Sequence, residues 1–183
     1  TLVRSHADWC VNRWGRVIVT LDAHKDMAMP PLPRLGIMLP VERSMRHVTY
    51  YGYGPDESYI DKREHCYVDM FQAEVEDLHE NYIRPQENGS HYHCRYVSLE
   101  NEKYRLLAEA DNYLDFNVSD YTVEELAGKR HNFELEPASG SLLSLDARMM
   151  GIGSNSCGPD LPEEFLRDEA HTVWKVQLQI EEL

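Results

Sequence analysis

The chain lacks a long apolar run. Nothing in its 183 residues approaches the roughly 20 consecutive apolar positions that a helical membrane span needs. It is also short of basic charge. Lys and Arg total 18 against 32 Asp and Glu, a formal charge of −14. That deficit argues against a nucleic-acid partner, whose phosphates require a basic surface, and against an anionic membrane. It suits a neutral substrate such as a sugar, and equally an acidic surface kept for solubility. The four cysteines, Cys10, Cys66, Cys94 and Cys157, form no C-x-x-C pair and are too widely spaced to suggest a disulfide frame or a zinc site. Read as free, mostly buried thiols, they point to a reducing, cytoplasmic compartment. No signal peptide is visible. The chain begins at Thr1 rather than methionine, as expected of a piece of a longer protein, so a missing leader says little. Repeats, low-complexity tracts and linkers are missing as well. The nearest thing to a break, Ala28 to Pro33 with three prolines, is short enough to be a connection between strands. One domain over 1–183 is expected, large enough to bury about 70% of its unfolded surface.

What is present is strand after strand. Val17, Val19 and Leu21 alternate with Ile18, Thr20 and Asp22, after a turn-like Asn12-Arg13-Trp14-Gly15. Trp174, Val176, Leu178 and Ile180 alternate with Lys175, Gln177, Gln179 and Glu181, one apolar face and one polar. Similar runs cover 47–53, 91–99, 104–110, 114–118, 131–136 and 142–149, with turn signals such as Glu136-Pro137-Ala138-Ser139-Gly140 between them. One short helix is predicted from the capping-box spacing of Thr122-Val123-Glu124-Glu125, with Gly128 able to end it. The run 64–78 fits a strand or a helix stripe by periodicity. Many short strands with little helix predict an all-β fold, an antiparallel β-sandwich.

The most distinctive segment is Met150-Gly151-Ile152-Gly153-Ser154-Asn155-Ser156-Cys157-Gly158-Pro159, directly after a strand-like run. Its glycines permit close backbone approach and its proline fixes the exit. Such a loop serves as a packed turn or as a surface set against a ligand or a neighbouring domain.

This segment resembles a signature near the C-terminus of family 2 β-galactosidases, Met-Gly-(Ile/Val)-Gly followed by polar residues and an Xaa-Pro step. Two more segments resemble that family in the same order. Tyr51-Gly52-Tyr53-Gly54-Pro55-Asp56-Glu57-Ser58-Tyr59, with Asp61-Lys62-Arg63, is similar to its G-x-G-P-x-E-x-Y-x-D-R stretch. Tyr82-Ile83-Arg84-Pro85-Gln86-Glu87-Asn88-Gly89 is similar to its Y-x-R-P-x-E-N-G stretch, and Leu32-Pro33-Arg34-Leu35-Gly36 fits the preceding strand. The resemblance runs from about Leu32 to the end. It implies a large sandwich of two extended antiparallel sheets (a supersandwich, galactose-mutarotase-like), with first strands that lie upstream of this chain, and it favours the strand for 64–78.

The resemblance also implies a division of labour. A retaining glycosidase needs two carboxyl groups about 5–5.5 Å apart. In the family both catalytic glutamates and the magnesium ligands lie in an upstream barrel domain, which needs about 250 residues of alternating strand and helix. No catalytic residue is therefore expected here and no cofactor in this domain, with Mg and Na belonging to the full-length enzyme. The implied partners are that upstream barrel domain, a galactoside substrate, and further copies of the full-length protein in a homo-oligomer. This fragment alone is expected to be folded but inactive. The glycine loop is implied to reach the active-site rim, with Asn155, Ser156 and Cys157 as substrate-binding positions. Cys157 stands where some members place a tryptophan against the leaving group, so looser aglycone discrimination is expected. The alternative function is a stand-alone galactose-binding or mutarotase-like module. Two minor features remain. His91 and His93 are expected on one strand face with Cys94 on the other, as a surface histidine pair rather than a metal site. Arg84, Glu87 and Asn88 either line a sugar pocket or fix a turn through Asn88-Gly89 and an Arg–carboxylate pair.

Overall fold

A computed structural model describes residues 2–153 and 159–183. Among these residues nine strands form one antiparallel sheet: β1 (Val3–Val11), β2 (Val17–Lys25), β3 (Arg34–Val41), β4 (His47–Gly54), β5 (Tyr67–Glu74), β6 (Ser90–Glu100), β7 (Tyr104–Ser119), β8 (Ser141–Met149) and β9 (His171–Glu182). The main order is β1-β2-β9-β7-β6-β4-β5. β7 is the branch point. Its first half pairs with β9 from Tyr104 to Ala110, and its second half pairs with β8 from Asp115 to Ser119. β8 in turn carries β3. The all-β, antiparallel fold expected from the strand pattern is observed, in the form of one branched, open sandwich-like sheet.

Period-2 alternation builds the core. Val19 and Leu21 of β2, Trp174, Val176 and Leu178 of β9, Ala108 of β7, and Val97 and Leu99 of β6 point into one apolar cluster. Val48 and Tyr50 of β4, Leu114, Phe116 and Val118 of β7, and Leu143 and Leu145 of β8 join it. Close backbone approach matters at several strand positions, Gly36 against the Leu145 carbonyl and Gly52 among them. A Cβ on Gly52 would stand 2.2 Å from the Sγ of buried Cys94, so only glycine lets β4 pass that point.

Several expectations are corrected. The runs 104–110 and 114–118 are one strand rather than two. The run 131–136 is no strand; Asn132–Glu134 is a 3-10 turn with Phe133 exposed, because no neighbour pairs with it. β1 pairs with β2 and is exposed along almost its whole length. The helix α1 (Val123–Gly128) forms as predicted, with Thr122 Oγ1 accepting from the Glu125 N–H at 3.0 Å, and it extends through Gly128 to a cap at Lys129. Of the run 64–78, residues 67–74 are strand, as the resemblance favoured, whereas Val75–Leu78 form a 3-10 turn.

His91 and His93 do not form a surface pair. β6 carries irregularities between His91 and Cys94, and His93 takes a left-handed φ of 57°. His91 is buried against Tyr50 and Phe116, while His93 stacks on Tyr113. Nor are the thiols mostly buried. Of the three described, Cys94 is buried, Cys66 half-exposed and Cys10 exposed. No helix among the described residues is long and apolar enough to cross a membrane.

Candidate functional site

The four sequence segments singled out above converge on one region. Arg34, at the start of β3, donates from Nη2 to Asp146 Oδ2 at 2.6 Å and from Nε to Asp146 Oδ1 at 3.3 Å. Its Nη1 reaches Glu87 Oε2 at 3.3 Å. The fork geometry of the guanidinium thus ties the Leu32–Gly36 segment, β8 and the Tyr82–Gly89 segment together. Burial raises the Asp146 carboxyl above its usual range even though Arg34 pulls it down. Burial likewise raises Glu87, against the pull of Arg34.

Glu57 is the second node. Its side chain is 4% exposed. Oε1 accepts from Lys62 Nζ and Tyr82 Oη, and Oε2 accepts from the Gly89 N–H at 2.7 Å. Burial works against the Lys62 charge, but Glu57 and Tyr82 outweigh it and hold the ammonium above the ordinary lysine range. Tyr59, fully buried beside this cluster, has its phenol pushed well up by burial. Asn88 closes the Tyr82–Gly89 turn: its Oδ1 accepts from the Glu80 N–H at 3.0 Å and its Nδ2 donates to the Gln86 carbonyl at 2.9 Å. Of the two roles left open for these residues, Asn88 and Glu87 take the turn-fixing one. The arginine of the ion pair is Arg34, while Arg84 and Glu87 both line an open groove of about 660 Å3 with Pro85, Gln86, Val123, Leu126 and Ala127.

Asp61 is the third node, and it meets the glycine loop. Its Oδ1 accepts from the Ile152 N–H at 3.1 Å and its Oδ2 from the Gly153 N–H at 2.8 Å. Met150 N–H donates to the Pro33 carbonyl and Gly151 N–H to the Phe165 carbonyl, so both sides of the loop entry are fixed. Gly153 takes a φ of 79°, the left-handed turn that glycine adopts without strain. The sequence-predicted substrate positions Asn155, Ser156 and Cys157 lie outside the described residues.

Sequence reasoning missed the buried charges beneath this region. Asp115 of β7 accepts from the His93 N–H and the Met149 N–H, each at 2.8 Å, and burial pushes its carboxyl up to about 6. Arg167, 4% exposed and depressed by burial, donates to Thr172 Oγ1 at 3.2 Å. A signal existed for Asp146. It interrupts the apolar run of β8, where an ionised group needs a partner.

Chemically, the oxygens of Glu57, Asp61 and Asp146 are engaged by donors of the same region. These three carboxylates fix backbone and neighbouring side chains, while Glu87, paired with Arg34, also lines the groove. The one group of three potential metal ligands among the described residues lies elsewhere, on β2 and β9.

Comparison with known proteins places the chain in a family. The family model described as beta galactosidase small chain matches residues 1–179. A beta-galactosidase of Actinobacillus pleuropneumoniae is 40% identical over 151 residues, which cover 82% of this chain and 15% of that protein. One of Staphylococcus xylosus is 38% identical over 171 residues, 93% of this chain and 17% of that protein. One of Arthrobacter sp. (strain B7) is 34% identical over 167 residues, 87% and 16% respectively. The chain thus spans about a sixth of the length of these relatives.

Proposed function

The chain belongs to the beta-galactosidase small chain family, and from that premise we propose that it is the C-terminal sandwich region of a family 2 β-galactosidase. The whole enzyme hydrolyses terminal non-reducing β-D-galactosyl residues of lactose-type substrates, with retention through a galactosyl-enzyme intermediate. The two catalytic glutamates belong to an upstream barrel domain, as do the Mg and Na ions. This region supplies a loop to the rim of that active site, together with domain contacts and contacts between subunits.

The observation that carries the proposal is the grip of Asp61 on the loop entry. Two motifs some 90 residues apart in sequence meet there, and what they hold in common is the starting point of residues 153–159. Anchoring of this kind is what a rim loop needs, because a substrate contact displaced by about 1 Å can cost a hundredfold in rate. Asn155, Ser156 and Cys157 then contact the sugar and its leaving group.

A stand-alone mutarotase-like module would need an acid and a base converging in a cleft. Glu57 with Lys62, and Asp146 with Arg34, satisfy one another instead, which favours the accessory role.

The test is hydrolysis of a nitrophenyl β-galactoside by the chain alone, and then by the chain mixed with the upstream portion of the enzyme. Turnover that appears only on mixing is expected. Saturable turnover by the chain alone would put the carboxylate pair within these residues and overturn the proposal.

A further inference from the structure

On the sheet face opposite the core, β2 and β9 present three metal-ligating side chains together. Asp22 and His24 are two residues apart on β2 and so share a face. His171 of β9 is the direct cross-strand partner of His24. The two imidazole rings stack with centroids 4.1 Å apart and planes within 5°. Asp22 Oδ1 lies 2.9 Å from His171 Nε2 and 3.3 Å from His24 Nε2, and one ligand atom from each residue falls within 4.8 Å of the others.

We propose that Asp22, His24 and His171 form a cross-strand binding site for a divalent transition-metal ion, with Zn2+ the best match. A tetrahedral zinc centre has ligand bonds of about 2.0–2.2 Å, so its ligand atoms stand about 3.3 Å apart. The two carboxylate–imidazole separations are close to that edge already. Rotation of the exposed rings brings the two Nε2 atoms to the same spacing. The donor set is two imidazole nitrogens and one carboxylate oxygen. That chemistry selects borderline ions over Mg2+ and Ca2+, which take oxygen ligands. All three side chains are roughly half exposed, leaving room for water at the remaining position.

The neighbouring strand adds to the site. His6 of β1 is the register partner of Asp22, and its Nε2 now rests 3.1 Å from Asp8 Oδ1. It stands in the right row to act as a fourth ligand. Arg4 is the register partner of His24 and carries charge of the ion's own sign, which the Asp22 carboxylate offsets. An ion held here clamps β2 to β9 at the end of their ladder, where the register reaches His24 and His171. By linkage, an ion bound only by the folded chain raises its thermal midpoint.

The experiment is calorimetric titration of zinc chloride into the tag-free chain, its H24A and H171A variants and the H24A/H171A double variant, with magnesium chloride as the control ion. One saturable zinc site per chain is expected, with no magnesium uptake. Each single substitution should weaken zinc binding by about tenfold or more, at least the loss seen when a group merely supporting a ligand is removed. Zinc should raise the thermal midpoint of the parent and leave that of the double variant unchanged. Both histidines are exposed, so the variants keep the fold, which circular dichroism verifies. No saturable zinc uptake by the parent overturns the proposal. So does an affinity that survives the double substitution, which would put the ion elsewhere, for instance on exposed Cys10.

Discussion

The carboxyl carbon of Asp61 occupies the space into which a side chain at residue 151 would have to grow. A Cβ on Gly151 would stand 2.6 Å from Asp61 Cγ and 2.7 Å from Oδ2. Asp61 cannot swing away freely, because the N–H groups of Ile152 and Gly153 hold both its oxygens. Gly151→Ala should therefore push Asp61 off the loop, at about 1–3 kcal/mol of stability, the usual cost of overpacking. Urea denaturation measures it. In an Asp61→Ala background the same substitution should cost little, so the two effects should be strongly non-additive.

Arg34 neutralises Asp146, whose side chain is only 3% exposed. Arg34→Met leaves that carboxylate buried without its partner, which costs about 3–5 kcal/mol. Pairing it with Asp146→Leu removes the buried orphaned charge and leaves only the partly exposed Glu87 without its arginine. Most of the lost stability should return in the double variant, measured by the same denaturation midpoints.

His91 and Asp115 are expected to give opposing pH dependences. Burial lowers His91 to about 4 from 6.5, so in that window the unfolded chain takes up a proton that the folded chain refuses. The stability due to neutral His91 is complete above pH 6.5 and is lost as pH falls towards 4. Burial raises Asp115 to about 6 from 3.8, so there the folded chain holds the extra proton. The burial cost of Asp115 is full above pH 6 and is relieved as pH falls towards 4. Asp115→Asn should make the acid loss of stability steeper than in the parent, and His91→Phe should make it shallower. Each change is of order 3 kcal/mol across the window, at about 1.4 kcal/mol per pKa unit. Denaturation at pH 4.5, 5.5 and 7 separates them.

Cys157 lies outside the described residues, and its role rests on the family resemblance. A thiol covers far less of a sugar or aglycone than an indole does. Cys157→Trp in the complete enzyme should lower Michaelis constants for aromatic aglycones and widen the spread among aglycones. Unchanged constants across several aglycones would remove Cys157 from the leaving-group contact.

Much of this fold can be read along the sequence. β2 and β9 alternate cleanly because one of their faces is core and the other is exposed. The second half of β7 looks the same in sequence, with Asp115 and Asn117 between Leu114, Phe116 and Val118. Yet both of its faces are buried, since the Asn88–Gly89 turn lies over Asn117, whose Nδ2 donates to the Asn88 carbonyl, and Asp115 accepts from the backbone of His93 and Met149. Alternation reports period, and only tertiary pairing decides burial. The run 131–136 shows the converse, a strand-like pattern with no partner strand. The motifs marked segments that converge in the fold, but not that Arg34, rather than Arg84, pairs with Glu87, nor that Asp61 holds the entry of the glycine loop. Those contacts join residues 53 and about 90 positions apart, a separation that local spacing cannot encode.

Asp61 is proposed above to set a loop needed for galactoside turnover. The most direct measurement is kcat/KM for a nitrophenyl β-galactoside in the complete enzyme carrying Asp61, Asp61→Asn or Asp61→Ala. A graded loss is expected. Asparagine retains one acceptor for the loop N–H groups and should keep intermediate activity, whereas alanine should lose about tenfold or more, as displaced substrate contacts do, with the β-sheet intact by circular dichroism. Equal kcat/KM in all three proteins would contradict it.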